Sequence, residues 1–403
     1  MSGTPKIFAT GAGVISPIGA GVDEFAERLY AGCRGAGPSP LLGGDAVACE
    51  IRDFTPQQWL GNKGIRVLDR SARLLAVASQ MTLSATGLVQ PETGEGDPGL
   101  GLVCGTMFGS VHSITSFDWS GLTDGPRYVN PMEFPNTVIN SPAGQAAIKF
   151  KLRGVNSTIS AGLISGLYAV HYASEFLIFG RATALLAGGV EELCEESYLG
   201  LRKTEALSPR GEGEPFGKER DGVVAGEAAA LLMLEAESRV RERGVRPIAQ
   251  IAGFGTAQDA YKINGYRVRG TGAREAMEQA LEAAGIGADA VGCVISGASG
   301  SRAGDEMEAL SLEALFGARL EGIPVAAPKA AWGECLGASG ALSVLAGVLS
   351  LERQAVPPTA GFRETPFPLR LSAAPQPFES DYALVTACSC DGGSAALVLK
   401  RVR

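Results

Sequence analysis

The chain is patterned as short, near-continuous apolar runs that end at glycines, each followed by a segment of helical period. "KIFATGAGVISPIG" (6–19) predicts a buried strand entering a Gly-rich turn, and "GVDEFAERLYAGC" (21–33) predicts the helix behind it. The alternation continues with a strand at 99–106 ("GLGLVCGT"), a helix at 141–152 ("SPAGQAAIKFKL") and a strand at 182–192 ("ATALLAGGVEE"). A further apolar run at 226–236 ("GEAAALLMLEA") closes the first half.

The theme then restarts. "PIAQIAGFGTA" (247–257) parallels the opening strand, and after it come helix 272–286, strand 290–299 and helix 305–317. "KAAWGECLGASGALSVLAGVLSLERQ" (329–354) and a last strand pair at 381–401 end the chain. The halves share order and approximate length but little identity, which points to an α/β fold of duplicated βαβ architecture divided into 1–240 and 241–403. Each half carries a Gly-rich turn before a buried helix, and the two turns are expected to meet at a pseudo-twofold axis.

Composition narrows the function. With 403 residues the chain exceeds one ordinary core. Its 45% hydrophobic and 19% charged residues are those of a globular protein, and its 55 glycines suggest tight turns and close backbone approaches. A net charge of −8 argues against nucleic-acid binding. No apolar run reaches the ~18 residues of a membrane span, and "MSGTPKIFATGAG" has no signal-peptide core, so the expectation is cytoplasmic with no membrane partner. The eight cysteines show no paired CxxC spacing and read mostly as buried thiols, with only the closely spaced "CSC" of Cys388 and Cys390 standing apart.

The stretch "STISAGLISGLYAV" (157–170) has the layout of a nucleophile turn, where helix N-terminal amides and the helix dipole favour a thiolate or oxyanion. Its apex is Leu163, which can do no such chemistry. The chain holds only two histidines, His112 near a turn and His171 on the helix after Leu163, and both read as structural. Ser160 and Ser165 read as capping and turn residues. Asp221, Glu227, Asp305 and Glu308 read as buried hydrogen-bonding groups, with no His or Cys cluster beside them to make a metal site. "RVRERGVR" (239–246) reads as a solvated helix end.

Six segments in order, "GAGVISPIG", "NPMEFPNTVINSPAGQAAI", "RDGVVAGEAAALLMLE", "GDEMEAL", "KAAWGECLGASGA" and "GGSAALVLKR", resemble the β-ketoacyl-acyl-carrier-protein synthases. The resemblance covers nearly the whole chain and implies the thiolase fold, two βαβαβαββ halves stacked as a five-layered αβαβα sandwich. In active members a Cys at a helix start takes the acyl chain from its carrier thioester, and two His promote decarboxylation of the malonyl-carrier, supported by a Lys and a Phe-containing loop.

Carried over by motif, the nucleophile falls on Leu163, the first His on Gly297 in "GASGSRAGD" and the second on Glu334 in "KAAWGE". Lys329 is retained, and Ser389 and Asp391 stand at the two Phe positions. This pattern resembles the chain-length factors of type II polyketide and aryl-polyene-like systems, catalytically inactive subunits that heterodimerise with an active ketosynthase and shape its chain tunnel. Leu163 departs from the Gln often found in that group. The implied partners are an active ketosynthase and an acyl carrier protein, with no cofactor of the chain's own beyond the carrier's phosphopantetheine. Candidate tunnel residues are Phe108, Met132, Glu133, Leu163, Ser389 and Asp391, with Met132 and Glu133 on a loop crossing the dimer interface. The alternative is a condensing or acyl-transfer enzyme with an unusual nucleophile, Cys390 or Ser165, and Glu334 as base; Glu334 reads more simply as an ion-pair partner of Lys329.

Overall fold

The computed structural model describes residues 5–90 and 95–403. Ten strands follow one hydrogen-bonded path, five from each half. The first half supplies β1 (Ile7–Ser16), β2 (Leu100–Gly105), β3 (Asn156–Ile159), β4 (Ala184–Glu191) and β5 (Ala228–Ala236). The second supplies β6 (Ala249–Gln258), β7 (Val291–Ile295), β8 (Val325–Ala326), β9 (Tyr382–Cys388) and β10 (Gly393–Lys400). The spatial order is β3-β2-β4-β5-β1 in one half and β8-β7-β9-β10-β6 in the other, so each strand has a counterpart.

Strand polarity repeats as well. β2 runs parallel to β3 and β4, as β7 does to β8 and β9. β5 is antiparallel to β4 and β1, as β10 is to β9 and β6. The halves join where β1 meets β6 antiparallel over three residue pairs, Ile7 to Ala9 against Ala249 to Ile251.

Helices make the other three layers. α1 (Val22–Tyr30), α2 (Arg70–Thr86), α3 (Val111–Thr123), α4 (Ser141–Phe150) and α5 (Ser165–Ile178) belong to the first half, and α6 (Gly272–Ala284), α7 (Arg302–Phe316) and α8 (Ser339–Arg353) to the second. α2 and α4 cover the outer face of the first sheet through Leu74, Leu75 and Phe150 against Leu186 and Met233. α6 and α7 cover the outer face of the second through Met277 and Leu312 against Val294 and Val398. α5 and α8 lie between the sheets, with Leu167 and Leu342 in one cluster with Leu185, Leu232, Ile295 and Leu397.

This layering explains the apolar runs. Leu185 faces the central layer and Leu186 the outer one, and Leu397 and Val398 divide the same way. A strand buried on both faces loses the alternation of a half-exposed one. α8, buried from Ser339 to Leu351, is apolar all round for the same reason. Among the expected elements that end early, two have a visible cause. α4 stops at Phe150 because Lys151 takes a left-handed conformation, φ 51°, and β7 stops at Ile295 because residues 296–300 turn aside to bind buried carboxylates.

Candidate functional site

Leu163 sits at the start of α5, in the turn the sequence singled out. Gly162 takes φ 60°, a conformation that glycine adopts without strain, and Ser165 closes the turn by accepting from Ala161 N–H at 2.9 Å and donating to Gly162 C=O at 2.6 Å. The turn is therefore intact and its apex is apolar. Its amide does not face an open site either. Leu163 N–H donates to Ser389 Oγ at 3.2 Å, and both residues are buried. Ser389 thus occupies the donor that an oxyanion would need. The expected meeting of the two Gly-rich turns is present: a Cβ on Gly166 would touch Ala341 N, and one on Gly340 would touch Leu167 N.

Glu334 and Gly297, matched by motif to the family's two His, each lie in a buried polar cluster. Lys329 Nζ donates to Glu334 Oε2 at 2.6 Å, with both side chains almost fully buried. The other Glu334 oxygen accepts from Ser339 Oγ at 2.7 Å and Leu336 N–H at 3.0 Å. Both oxygens of Glu334 are thereby engaged locally. Lys329 also acts electrostatically on Glu308, whose carboxyl is pushed up by burial. Glu308 binds Ser296 Oγ at 2.7 Å, Thr386 Oγ1, and the N–H of Gly297 at 3.1 Å. Gly297 has no space for a side chain, since a Cβ there would lie 2.9 Å from Ala387 Cα and Thr386 O.

Asp391 is exposed, accepts from Gly393 N–H at 3.0 Å and lines the Gly162 turn from the far side. Cys390 is half-buried, and burial together with Asp391 pushes its thiol up, the reverse of what a nucleophilic thiol requires. Cys388 is buried, and burial pushes its thiol up as well. Ser165 is committed to the turn, and Ser160 Oγ donates to Met107 C=O at 3.2 Å. Tyr266, which no sequence motif marks, stands beside Cys388, and burial raises its phenol well above the ordinary value in the field of Cys390, Glu334 and Asp305.

The histidines lie outside these clusters. His112 is exposed and pairs with Glu196 at 3.1 Å, and His171 stacks on Phe254 at 4.1 Å, where burial lowers its pKa. Met132 and Glu133 stand on the outer surface, Glu133 accepting from Ser116 and Asn130. Of the candidate tunnel residues, the structure gathers Leu163, Ser389 and Asp391 together and sets Phe108 on a neighbouring turn. Glu227 grips Arg70 and the N–H groups of Ile51 and Leu193, Asp221 binds Ser208 and Arg210, and Asp305 accepts from Phe216, Ser299 and Gly300. Three of the surface cavities among the described residues, one of them about 550 Å³, are lined by other residues.

Glu191 and Glu192 also escape a motif-based reading, although two acids ending an apolar strand are a visible oddity. Both are buried. Burial raises Glu192 to about 8 and Asp305 to about 7, from ordinary values of 4.5 and 3.8. The folded chain therefore holds more protons than the unfolded chain across roughly pH 4–8, and stability falls as pH rises through that window. The midpoint of thermal unfolding is expected to be higher at pH 6 than at pH 8; a higher midpoint at pH 8 would contradict these assignments.

Comparison with known proteins identifies the family and the fold. Residues 4–239 match the family described as Beta-ketoacyl synthase, N-terminal domain, and residues 248–363 match Beta-ketoacyl synthase, C-terminal domain. The 3-oxoacyl-[acyl-carrier-protein] synthase 2 of Rhizobium meliloti is 28% identical, covering 98% of this chain and 99% of its own. That of Vibrio cholerae is 29% identical with the same coverage. Among solved structures, the ishigamide ketosynthase/chain length factor superposes with a TM-score of 0.92 at 26% identity, covering 99% of this chain and all of its own. A ketosynthase in complex with its chain length factor from Xenorhabdus doucetiae shares the fold at TM-score 0.82 and 22% identity, with 99% and 98% covered. By its fold, its motif order and both domain matches, the chain belongs to the beta-ketoacyl synthase family.

Proposed function

We propose that this chain is a non-catalytic ketosynthase homologue that pairs with a complete ketosynthase, as a chain-length factor does, and shapes the tunnel for a carrier-delivered acyl or polyketide chain. The observation that carries this reading is the nucleophile turn: its fold is kept, its apex is Leu163, and its amide is capped by Ser389. Gly297 and Glu334 support it, because one has no room for a side chain and the other is tied to Lys329. The likeness to a ketosynthase/chain length factor at TM-score 0.92 agrees with it.

A partner also has a surface to cover. Trp119, Leu122, Tyr128, Met132 and Phe134 are exposed, Leu122 at 81%, and follow one another along α3 and the segment after it. β3 is the free edge of the sheet nearby in sequence. A run of exposed aromatic and aliphatic side chains is characteristic of an interface.

Co-expression with a Cys-containing ketosynthase encoded beside it is expected to yield a 1:1 complex that elongates malonyl units. Recovery of this chain only as a homodimer, with the ketosynthase elongating equally well without it, would overturn the reading. In the complex, Phe108→Ala is expected to shift the product-length distribution while condensation continues; an unchanged distribution would remove Phe108 from the gate.

A further inference from the structure

The Phe108 turn is held by a single buried carboxylate that bridges the two halves of the molecule. Glu191, at the end of β4, uses all of its acceptor capacity on it. One oxygen accepts from Met107 N–H at 2.6 Å and Gly337 N–H at 3.0 Å, the latter just before α8. The other accepts from Phe108 N–H at 2.9 Å and Thr106 Oγ1 at 3.2 Å. Thr106 Oγ1 in turn accepts from Gly109 N–H at 2.9 Å, so the hydroxyl relays the grip around the turn.

The turn's remaining contacts lead to the vacated site and the exposed segment. Met107 C=O accepts from Ser160, three residues before Leu163. Gly109, at φ 66°, lies against the backbone of Ile139, which ends the segment carrying Met132 and Phe134; a Cβ on Gly109 would come within 3.0 Å of Ile139 Cα. Phe108 itself is 37% exposed and makes no comparable anchoring contact through its ring among the described residues. Its direction is therefore set by its backbone, and its backbone by Glu191.

We propose that Glu191 is a specificity-determining positioning residue: by clamping residues 106–108 to the Gly337 turn, it fixes the aim of Phe108 and hence the chain length the tunnel accepts. This rests on the reading of Phe108 as a gate. The geometry makes the role separable from simple burial. In Glu191→Gln one oxygen becomes an NH2 group, which opposes either the Met107 and Gly337 amides or the Phe108 amide and the Thr106 hydroxyl. The carboxyl's shape is kept while half its grip is lost.

The test has two arms. Amide hydrogen exchange on the isolated chain is expected to show at least ~10-fold faster exchange at residues 107–109 and 337 in Glu191→Gln, with α2 and α6 unchanged, and faster exchange at Gly109 in Thr106→Val but not Thr106→Ser. In the complex with its ketosynthase, Glu191→Gln and Thr106→Val are expected to broaden the product-length distribution, while Thr106→Ser retains that of the wild type. Unchanged exchange at 107–109, or acceleration spread evenly over the molecule, overturns the clamp. A shifted distribution in Phe108→Ala with none in Glu191→Gln overturns Glu191 as a determinant and leaves the gate standing. If Phe108→Ala shifts nothing, the gate itself is wrong and the proposal falls with it.

Discussion

Glu334→Ala is expected to cost about 3–5 kcal/mol of folding stability, because it strands the Lys329 ammonium in the interior. The two side chains meet at 2.6 Å with almost no exposure, and the carboxylate is also the acceptor for Ser339 and Leu336. A buried pair is costly to assemble but more costly to break. The control is a double replacement, Lys329→Met with Glu334→Gln, which removes both charges and is expected to lose much less than the single change. Denaturant unfolding monitored by tryptophan fluorescence measures both variants. A Glu334→Ala chain within about 1 kcal/mol of wild type would mean that the buried pair does not hold this part of the interior together.

Leu163→Cys is expected to restore no useful acyl transfer. A thiol at that position would find its neighbouring amide already donating to Ser389, with no histidine in reach to act as base. The missing acid and base alone are worth about 10²–10⁴-fold in rate. Nor can the histidines simply be returned. At Gly297 even a methyl group meets the backbone of Thr386 and Ala387 at 2.9 Å, and Glu334→His would break the Lys329 pair. Overpacking of that kind costs about 1–3 kcal/mol or more, on top of the unpaired lysine. The triple replacement is thus expected to fail to accumulate as a folded protein, seen as loss of the soluble fraction and of a cooperative unfolding transition. A folded triple variant with measurable condensation would show that the site is merely unequipped rather than rebuilt.

The sequence carried the layered fold well, because strands buried on both faces leave unbroken apolar runs and the two halves repeat their order. Strand ends were less legible. Nothing in "CVISGASG" marks residue 295 as the end of β7, since the chain leaves the sheet there to meet Glu308 and Asp305, side chains that belong to α7. The pairing of Lys329 with Glu334 was readable from the motif. What filled the site was not readable. That Ser389 caps the Leu163 amide, and that Gly297 is pressed against β9, depend on contacts between segments some 90 to 226 residues apart. The contacts of Glu191 were hidden for the same reason: its side chain binds segments distant in sequence, and it carries no local motif.

The proposal that this chain keeps the fold without the chemistry is tested most directly by intact mass measurement of the isolated chain after incubation with an acyl-carrier thioester. The expected spectrum shows the unmodified chain alone, while a complete ketosynthase treated in parallel gains the acyl mass. A stoichiometric acyl adduct on this chain, mapped to Cys390, Ser165 or any other side chain, would contradict it.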